Sequence, residues 1–460
     1  MKKAHPLRPV FLPTGLAFAL IALAVGILAP TLLAQEPYKL PPKEVIAIVD
    51  APPTPLVSMS PADDTMALIE RESMPSIAYI AEPILRIAGM RITPGYNSRQ
   101  VLSFSTGLSI KDLKTGILRQ VALPDGVKFT FPSWSPDGRT IALLRYVAGG
   151  VELWTVDVTT ATAKGLTPAI VNAVLGGIEW TPDSRRIIVP LVPDERGPAP
   201  VAPRVPIGPE IQVSGGKEAK VATYQDLLKN AFDEILFDYY ATSQLAVIDI
   251  GTGALRKIGK SGIVDSISVS PDMSCLLVER IKRPYSYALP ASGFARSIEI
   301  WDMDGGLVKV LADLPTEENV PLNGVPKGPR NVNWMTHQPA TLIWAEALDE
   351  GDPKATAPFR DHYLKLDAPF SAEPQEVFKL KERAAGLSYF AAPGKALASQ
   401  SEWKRNWRTT FLVDLADPAA EPVKIWDLST QDRYKDPGRP VTTSLKTGER
   451  VILQDKDWIY

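Results

Sequence analysis

The sequence predicts an all-β protein: a seven-bladed β-propeller whose last blade is truncated, with a short helical insertion in blade three. Three observations predict it. A turn between two strands, Trp134-Ser-Pro-Asp-Gly138, returns as Trp180-Thr-Pro-Asp183, as Ser270-Pro-Asp272 and, worn down, as Trp334-Met-Thr-His-Gln-Pro339. After these turns come apolar strands ending in Asp, such as Leu153-Trp-Thr-Val-Asp157, Leu245-Ala-Val-Ile-Asp249 and Ile298-Glu-Ile-Trp-Asp302. Ser135 and Thr181 stand roughly 46 residues apart, the length of one four-stranded blade.

The amino-terminal residues come first. Lys2, Lys3 and Arg8 precede an apolar stretch from Val10 to Ala34, and Leu32-Leu-Ala34 before Gln35 offers a small-residue cleavage site. Residues 1–34 therefore read as a signal peptide, which places the mature chain in the periplasm or outside the cell, free of the membrane. The stretch is also long enough to span a bilayer, so an uncleaved membrane anchor is the alternative. Residues 35–55 form a Pro-rich lead-in to a propeller over 56–460.

Each blade then follows from local chemistry. Pro presets φ in the tight turn, Asp bonds back to nearby amides and Gly closes it. Val127, Phe129 and Phe131 alternate with Lys128 and Thr130, the pattern of a strand with one buried face. Blade one is expected to use Ser60-Pro-Ala-Asp63 as its turn, with strands from Leu56 to Arg71, around Val101–Phe104 and at Leu108–Leu113. Blade two runs from Val127 to Leu166. The others open near Val171, Ile263, Asn331, Leu387 and Val441.

The interval from Thr181 to Ser270 is about twice the period, so blade three carries an insertion over about 193–242. It begins as a Pro-rich loop, and Thr223–Tyr240 then has Leu227, Leu228, Phe232, Ile235, Leu236 and Tyr239 near helical spacing, with the apolar face expected to pack on the propeller. The seventh blade stops at Tyr460 after half its strands, so the chain reads as a fragment.

Composition narrows the function. The 460 residues are 45% apolar with a formal charge of −2, which gives no basic face for nucleic acid. The single cysteine, Cys275, lies in an apolar strand and reads as a buried structural thiol. His5, His337 and His362 share no ligand spacing. Asp349-Glu-Gly-Asp352 lacks the alternation of a calcium loop and reads as a solvated turn, as do the pairs Asp63-Asp64 and Glu317-Glu318. Trp134, Trp180, Trp301, Trp334 and Trp426 recur as blade-packing residues, with a carbohydrate platform as the lesser reading.

Several stretches carry a family resemblance: Arg204-Val-Pro-Ile-Gly-Pro-Glu-Ile-Gln212, Thr223-Tyr-Gln-Asp-Leu-Leu-Lys229, Asp238-Tyr-Tyr-Ala-Thr-Ser-Gln-Leu245, Ala88-Gly-Met-Arg-Ile92, Thr106–Leu113 and Ala340–Ala347. Together they resemble the amino-terminal propeller portion of the glutamyl endopeptidase branch of the prolyl oligopeptidase (S9) serine peptidases. The resemblance implies a propeller that gates peptide substrates for a carboxy-terminal α/β-hydrolase domain, whose nucleophile sits in Gly-x-Ser-x-Gly. That elbow is missing here: Lys260-Ser-Gly262 and Gly386-Leu-Ser-Tyr389 lack the flanking glycines. No catalytic, cofactor-binding or metal-binding residue is nominated, no cofactor is expected, and the chain is expected to be inactive by itself. Arg204, Arg330, Lys404, Arg405 and Arg408 are the cations that could hold an acidic side chain, with structural roles as the other reading. A stand-alone propeller that binds a protein or peptide is the rival function.

Overall fold

A computed structural model describes residues 39–205, 223–417, 419–456 and 458–460. The expected signal peptide and residues 206–222 of the insertion lie outside them. The described residues divide into two units, one ending at Pro52 and the other running from Pro53 to Tyr460. In the first, the helix Lys43–Val49 follows Pro42, whose fixed φ suits a helix start, and buries none of its residues.

The second unit consists of antiparallel meanders in chain order. Unit 1 has strands Leu56–Met59, Thr65–Arg71, Ser105–Asp112 and Leu118–Gln120, and unit 2 has Lys128–Trp134, Thr140–Val147, Gly150–Asp157 and Thr162–Gly165. Unit 3 has Glu179–Trp180, Arg186–Leu191, Thr242–Asp249 and Leu255–Lys257. In unit 4 the strands are Gly262–Val269, Cys275–Ile281, Arg296–Asp302 and Leu307–Leu314. Unit 5 has Arg330–Trp334, Thr341–Ala347, Asp361–Asp367 and Gln375–Leu380, and unit 6 has Arg383–Tyr389, Lys395–Glu402, Trp407–Asp414 and Val423–Ser429. Thr442–Ser444 then pairs with Arg450–Ile452 as the start of a seventh.

Successive meanders stack face to face. Ile141 and Leu143 of unit 2 pack with Ile69, Leu108 and Ile110 of unit 1, whereas Ala142 and Leu144 turn the other way, onto Ile187, Val189 and Ile248 of unit 3. The same alternation sends Leu342 and Trp344 of unit 5 toward unit 4 and Ile343 and Ala345 toward unit 6. Second strands therefore bury both faces, not one, which is why they read as unbroken apolar runs. Sheets stacked on both neighbours in sequence order are the packing of propeller blades. The seventh pair is held by a smaller cluster, Phe390 and Leu397 of unit 6 with Ile452.

Several sequence expectations shift. Val101–Phe104 is not a strand: Phe104 is buried against Tyr79 and Tyr146, and the third strand of unit 1 starts at Ser105. Unit 3 opens at Glu179, because Val171 makes only an isolated bridge to Leu191. Unit 1 also contains an unanticipated small sheet, Leu85–Ile87, Met90–Thr93 and Ser98–Arg99. Trp134, Trp180 and Trp334 share the end of a first strand, but Trp301 lies on a third strand and Trp426 on a fourth, so the five do not repeat one position.

Candidate functional site

In a four-stranded meander, the turns joining strands one to two and three to four lie at one end. The connections joining strands two to three, and one unit to the next, lie at the other. The two ends differ in kind. At the first, each Ser/Thr-Pro-x turn closes on itself: Ser135 Oγ donates to Asp137 Oδ1 (2.6 Å) and accepts from the Thr140 amide, and Ser270 and Asp272 repeat the geometry at 2.7 Å. The fourth turn residue takes positive φ in every intact copy, at Asp63, Gly138, Ser184 and Met273, so glycine is used once and strain is accepted elsewhere.

These turns also touch across units. The Asp137 amide donates to Ser184 Oγ (3.0 Å), the Asp272 amide to the Pro339 carbonyl (3.1 Å), and Trp134 Nε1 to Ser58 Oγ (3.0 Å). A Cβ added to Gly448 would meet Pro136 at 3.0 Å. Near the same seventh-unit turn, burial pushes the Glu179 carboxyl up to about 7; the Val269 amide opposes the shift and the Glu449 carboxylate adds to it.

The opposite end carries the long excursions of units 1, 3 and 4, between strands two and three. They share one core. The helix Ala231–Ala241 starts at Asn230, whose side chain accepts from the Phe232 and Asp233 amides, so Thr223–Lys229 is not helical. Leu236, Phe237, Tyr240 and Ala241 are buried while Ile235 is exposed, which rotates the packed face from the one the spacing suggested. Phe237 meets Tyr285 and Phe294 of the unit 4 excursion edge-on, at 5.1 and 5.6 Å between ring centres. Ile87, Met90 and Ile92 of the unit 1 excursion complete the cluster.

Polar bonds pin the same elements. Arg283 pairs with Glu234 and, at 2.6 Å, with Asp238; Tyr285 donates to Asp238 and Tyr287 to Glu234 (2.6 Å). Burial and the nearby carboxylates push both phenols up, Tyr287 to about 12. At the Ala88-Gly89 turn the Gly89 amide donates to Asp226 O, and a Cβ there would collide with Pro290. That close approach requires the glycine of Ala88–Ile92.

Units 5 and 6 place a charged cluster at this end. Arg383 bridges Asp349 (2.7 Å) and Asp361 (2.8 Å), Arg330 meets Asp361 (2.7 Å) and Arg360 meets Asp349 (2.6 Å). Both aspartate side chains are fully buried. Asp349 is therefore an internal ion-pair partner and not part of a solvated turn, since the guanidiniums of Arg360 and Arg383 replace its water. Beside it, a recess of about 190 Å³ is lined by Asn323, Arg360, Arg383, Trp403 and Lys404. Glu382 stands 3.5 Å from Arg360, its pKa raised by burial and then by Glu402.

Of the five expected cations, only Arg330 belongs to the cluster and Lys404 adjoins it. Arg204 is exposed, Arg405 pairs with Glu402 (3.0 Å), and Arg408 is an exposed third-strand residue. Asp361, Arg360 and Arg383 escaped sequence reading because single charges at strand ends look like ordinary edge residues. Glu317 is half-buried, with its carboxyl pKa raised by that burial, so it too departs from the solvated reading. His337 bonds the Phe390 carbonyl (2.9 Å) and His362 bonds Glu376 (2.8 Å). Ser261 Oγ bonds Gln244 and Glu195, while Ser388 lies within a strand, so neither sits on a strand-to-helix elbow. Cys275 is buried and its thiol pKa is raised by that burial.

Stacked four-stranded meanders with loop-built structure at one end define a β-propeller domain. No protein-family model matches the chain. It is 36% identical over 438 residues to a probable chloroplastic glutamyl endopeptidase of Oryza sativa subsp. japonica, covering 91% of this chain and 46% of that one. An Arabidopsis thaliana protein of the same name gives 36% over 437 residues, 91% and 45%. The chain thus spans about half the length of the curated relatives it matches, and over that length it is similar to proteins named as probable glutamyl endopeptidases. Similar solved structures include dipeptidyl peptidase 4 of Porphyromonas gingivalis (12% identity, TM-score 0.47, 80% of this chain and 45% of that one). The β-propeller domain of the Trilobed protease from Pyrococcus furiosus gives 12%, TM-score 0.38, 82% and 85%.

Proposed function

We propose that this chain is the substrate-gating propeller of an exported serine endopeptidase, acting on peptides and, following the name of its relatives, after glutamate. The catalytic α/β-hydrolase domain would be encoded beyond Tyr460. The observation that carries this is 36% identity across 91% of the chain to endopeptidases about twice as long. The structure fits the division of labour. Excursions from three units form a packed mass at one end, where they would restrict passage to slender or unfolded peptides, while His337 is bonded to the Phe390 carbonyl and His362 to Glu376. Export rests on residues 1–34; the relatives are named chloroplastic, and among the described residues no helix is long and apolar enough to cross a membrane.

Sequencing past Tyr460 and labelling with a serine-directed phosphonate test the proposal. A Gly-x-Ser-x-Gly elbow downstream and labelling of the longer polypeptide alone are expected. Labelling of the 460-residue chain would overturn it, as would a completed seventh blade with no hydrolase after it, the result a stand-alone binding module gives.

A further inference from the structure

Turn tips lock where the Ser/Thr-Pro-Asp pattern is kept, and units 5 and 6 have lost it. Met335 and Phe390 follow their first strands as Ser135 and Thr181 follow theirs in units 2 and 3, so neither has a hydroxyl with which to close its own turn. His337 instead takes φ 70° and bonds the Phe390 carbonyl of the neighbouring unit (2.9 Å). Between these two tips lies a cavity of about 330 Å³, at the small end of the range for ligand sites.

Three polar side chains line this cavity with bonding capacity unspent. Tyr389 ends its first strand as Trp134 and Trp334 end theirs, and those indoles donate to Ser58 Oγ (3.0 Å) and the Ser268 carbonyl (3.2 Å) of the preceding units. The Tyr389 hydroxyl is buried and has no partner among the described residues. Lys365 and Asp367 alternate with Leu366 on the strand Asp361–Asp367, so both share the face on which Tyr363 packs toward unit 6. Among the described residues neither is ion-paired, with the other or with any third charge, and Asp367 accepts from Thr341 Oγ1 (2.6 Å) through one oxygen only. An ammonium and a carboxylate thus stand side by side without joining, beside the apolar side chains of Met335 and Leu415.

We propose that this cavity binds a free α-amino acid with an aliphatic side chain. Asp367 receives its ammonium group, Lys365 and the Tyr389 hydroxyl donate to its carboxylate, and Met335 and Leu415 cover its side chain. Two opposite, unpaired charges on one strand face call for a ligand that carries both at short range, as a zwitterion does. A neutral sugar offers neither charge, and the interior of a peptide has lost both.

Calorimetric titration of the 460-residue chain with L-leucine at neutral pH provides the test. Saturable binding is expected. Leucinamide, which lacks the carboxylate, and N-acetyl-leucine, which lacks the ammonium, should each bind at least about tenfold more weakly, the loss that goes with one charge-assisted hydrogen bond. Lys365→Met removes a side chain that has no ion-pair partner in the fold, so the variant should stay folded. It should lower the affinity for L-leucine to that for leucinamide and leave leucinamide itself unchanged. Asp367→Asn should likewise bring L-leucine down to the level of N-acetyl-leucine. Absence of leucine binding, equal affinity for the three probes, or leucine affinity untouched by Lys365→Met would each overturn the site. Glucose binding in place of leucine would overturn it too, by marking a pocket for neutral polar ligands.

Discussion

The two ends of the propeller are built by opposite means. At the turn end, residues two to five apart bond one another, and the same short pattern is used again and again. At the excursion end, residues from three units meet to make one core, and partners such as Asp226 and Arg91 are 135 positions apart. Local chemistry makes the first end stiff and repetitive. Non-local packing makes the second a structure that can be loosened as a piece without unfolding the sheets.

Four measurements press on that contrast, from largest expected effect to smallest. Phe237→Ala removes the ring at the centre of the excursion core. It should cost about 4 kcal/mol in denaturant unfolding, and limited proteolysis should cut near residues 231–241 while the meanders stay intact. Loss of all strands at once would erase the distinction. Asp361→Ala leaves Arg330 and Arg383 without their shared carboxylate and should cost about 3 kcal/mol, read as a lower unfolding midpoint. An unchanged midpoint would mean that the cluster holds nothing.

Glu179 gives a pH signature at the turn end. Burial pushes its folded pKa up to about 7, above the ordinary 4.5 of a glutamate, so the native state holds the proton more tightly. Stability should therefore fall as pH rises through that window. Glu179→Gln should recover roughly 1–3 kcal/mol at pH 8 and nothing near pH 4; identical pH profiles for the two proteins would contradict the burial argument. Smallest of all, Met273→Gly relieves a non-glycine residue at φ 59° and should raise stability by about 1 kcal/mol by thermal unfolding. Its effect should not reach the excursion end.

This contrast also explains what the sequence disclosed. The Ser-Pro-Asp turns and the strands ending in Asp were legible to within a few residues, because each is set by neighbours along the chain, whereas the opening of unit 3 fell at Glu179 and not near Val171. The face used by the helix Ala231–Ala241 was not, since Phe237 is chosen by Tyr285 and Phe294, which the helix cannot specify. Asp349 was misread for the same reason: its arginines lie 11 and 34 residues away. Burial on both faces of the second strands was written in Ile141-Ala-Leu-Leu144, whose unbroken run outweighs the alternation of the strand before it.

The contact of Asp137 with Ser184, and of Pro136 with the backbone at Gly448, has a practical corollary. Anyone attaching a fluorophore, an affinity tag or a grafted epitope has almost no room where those tips crowd together, since even a methyl group at position 448 would push against a proline ring. Guests would be better housed in the broad connections at the far side, where nature has already lengthened the chain three times.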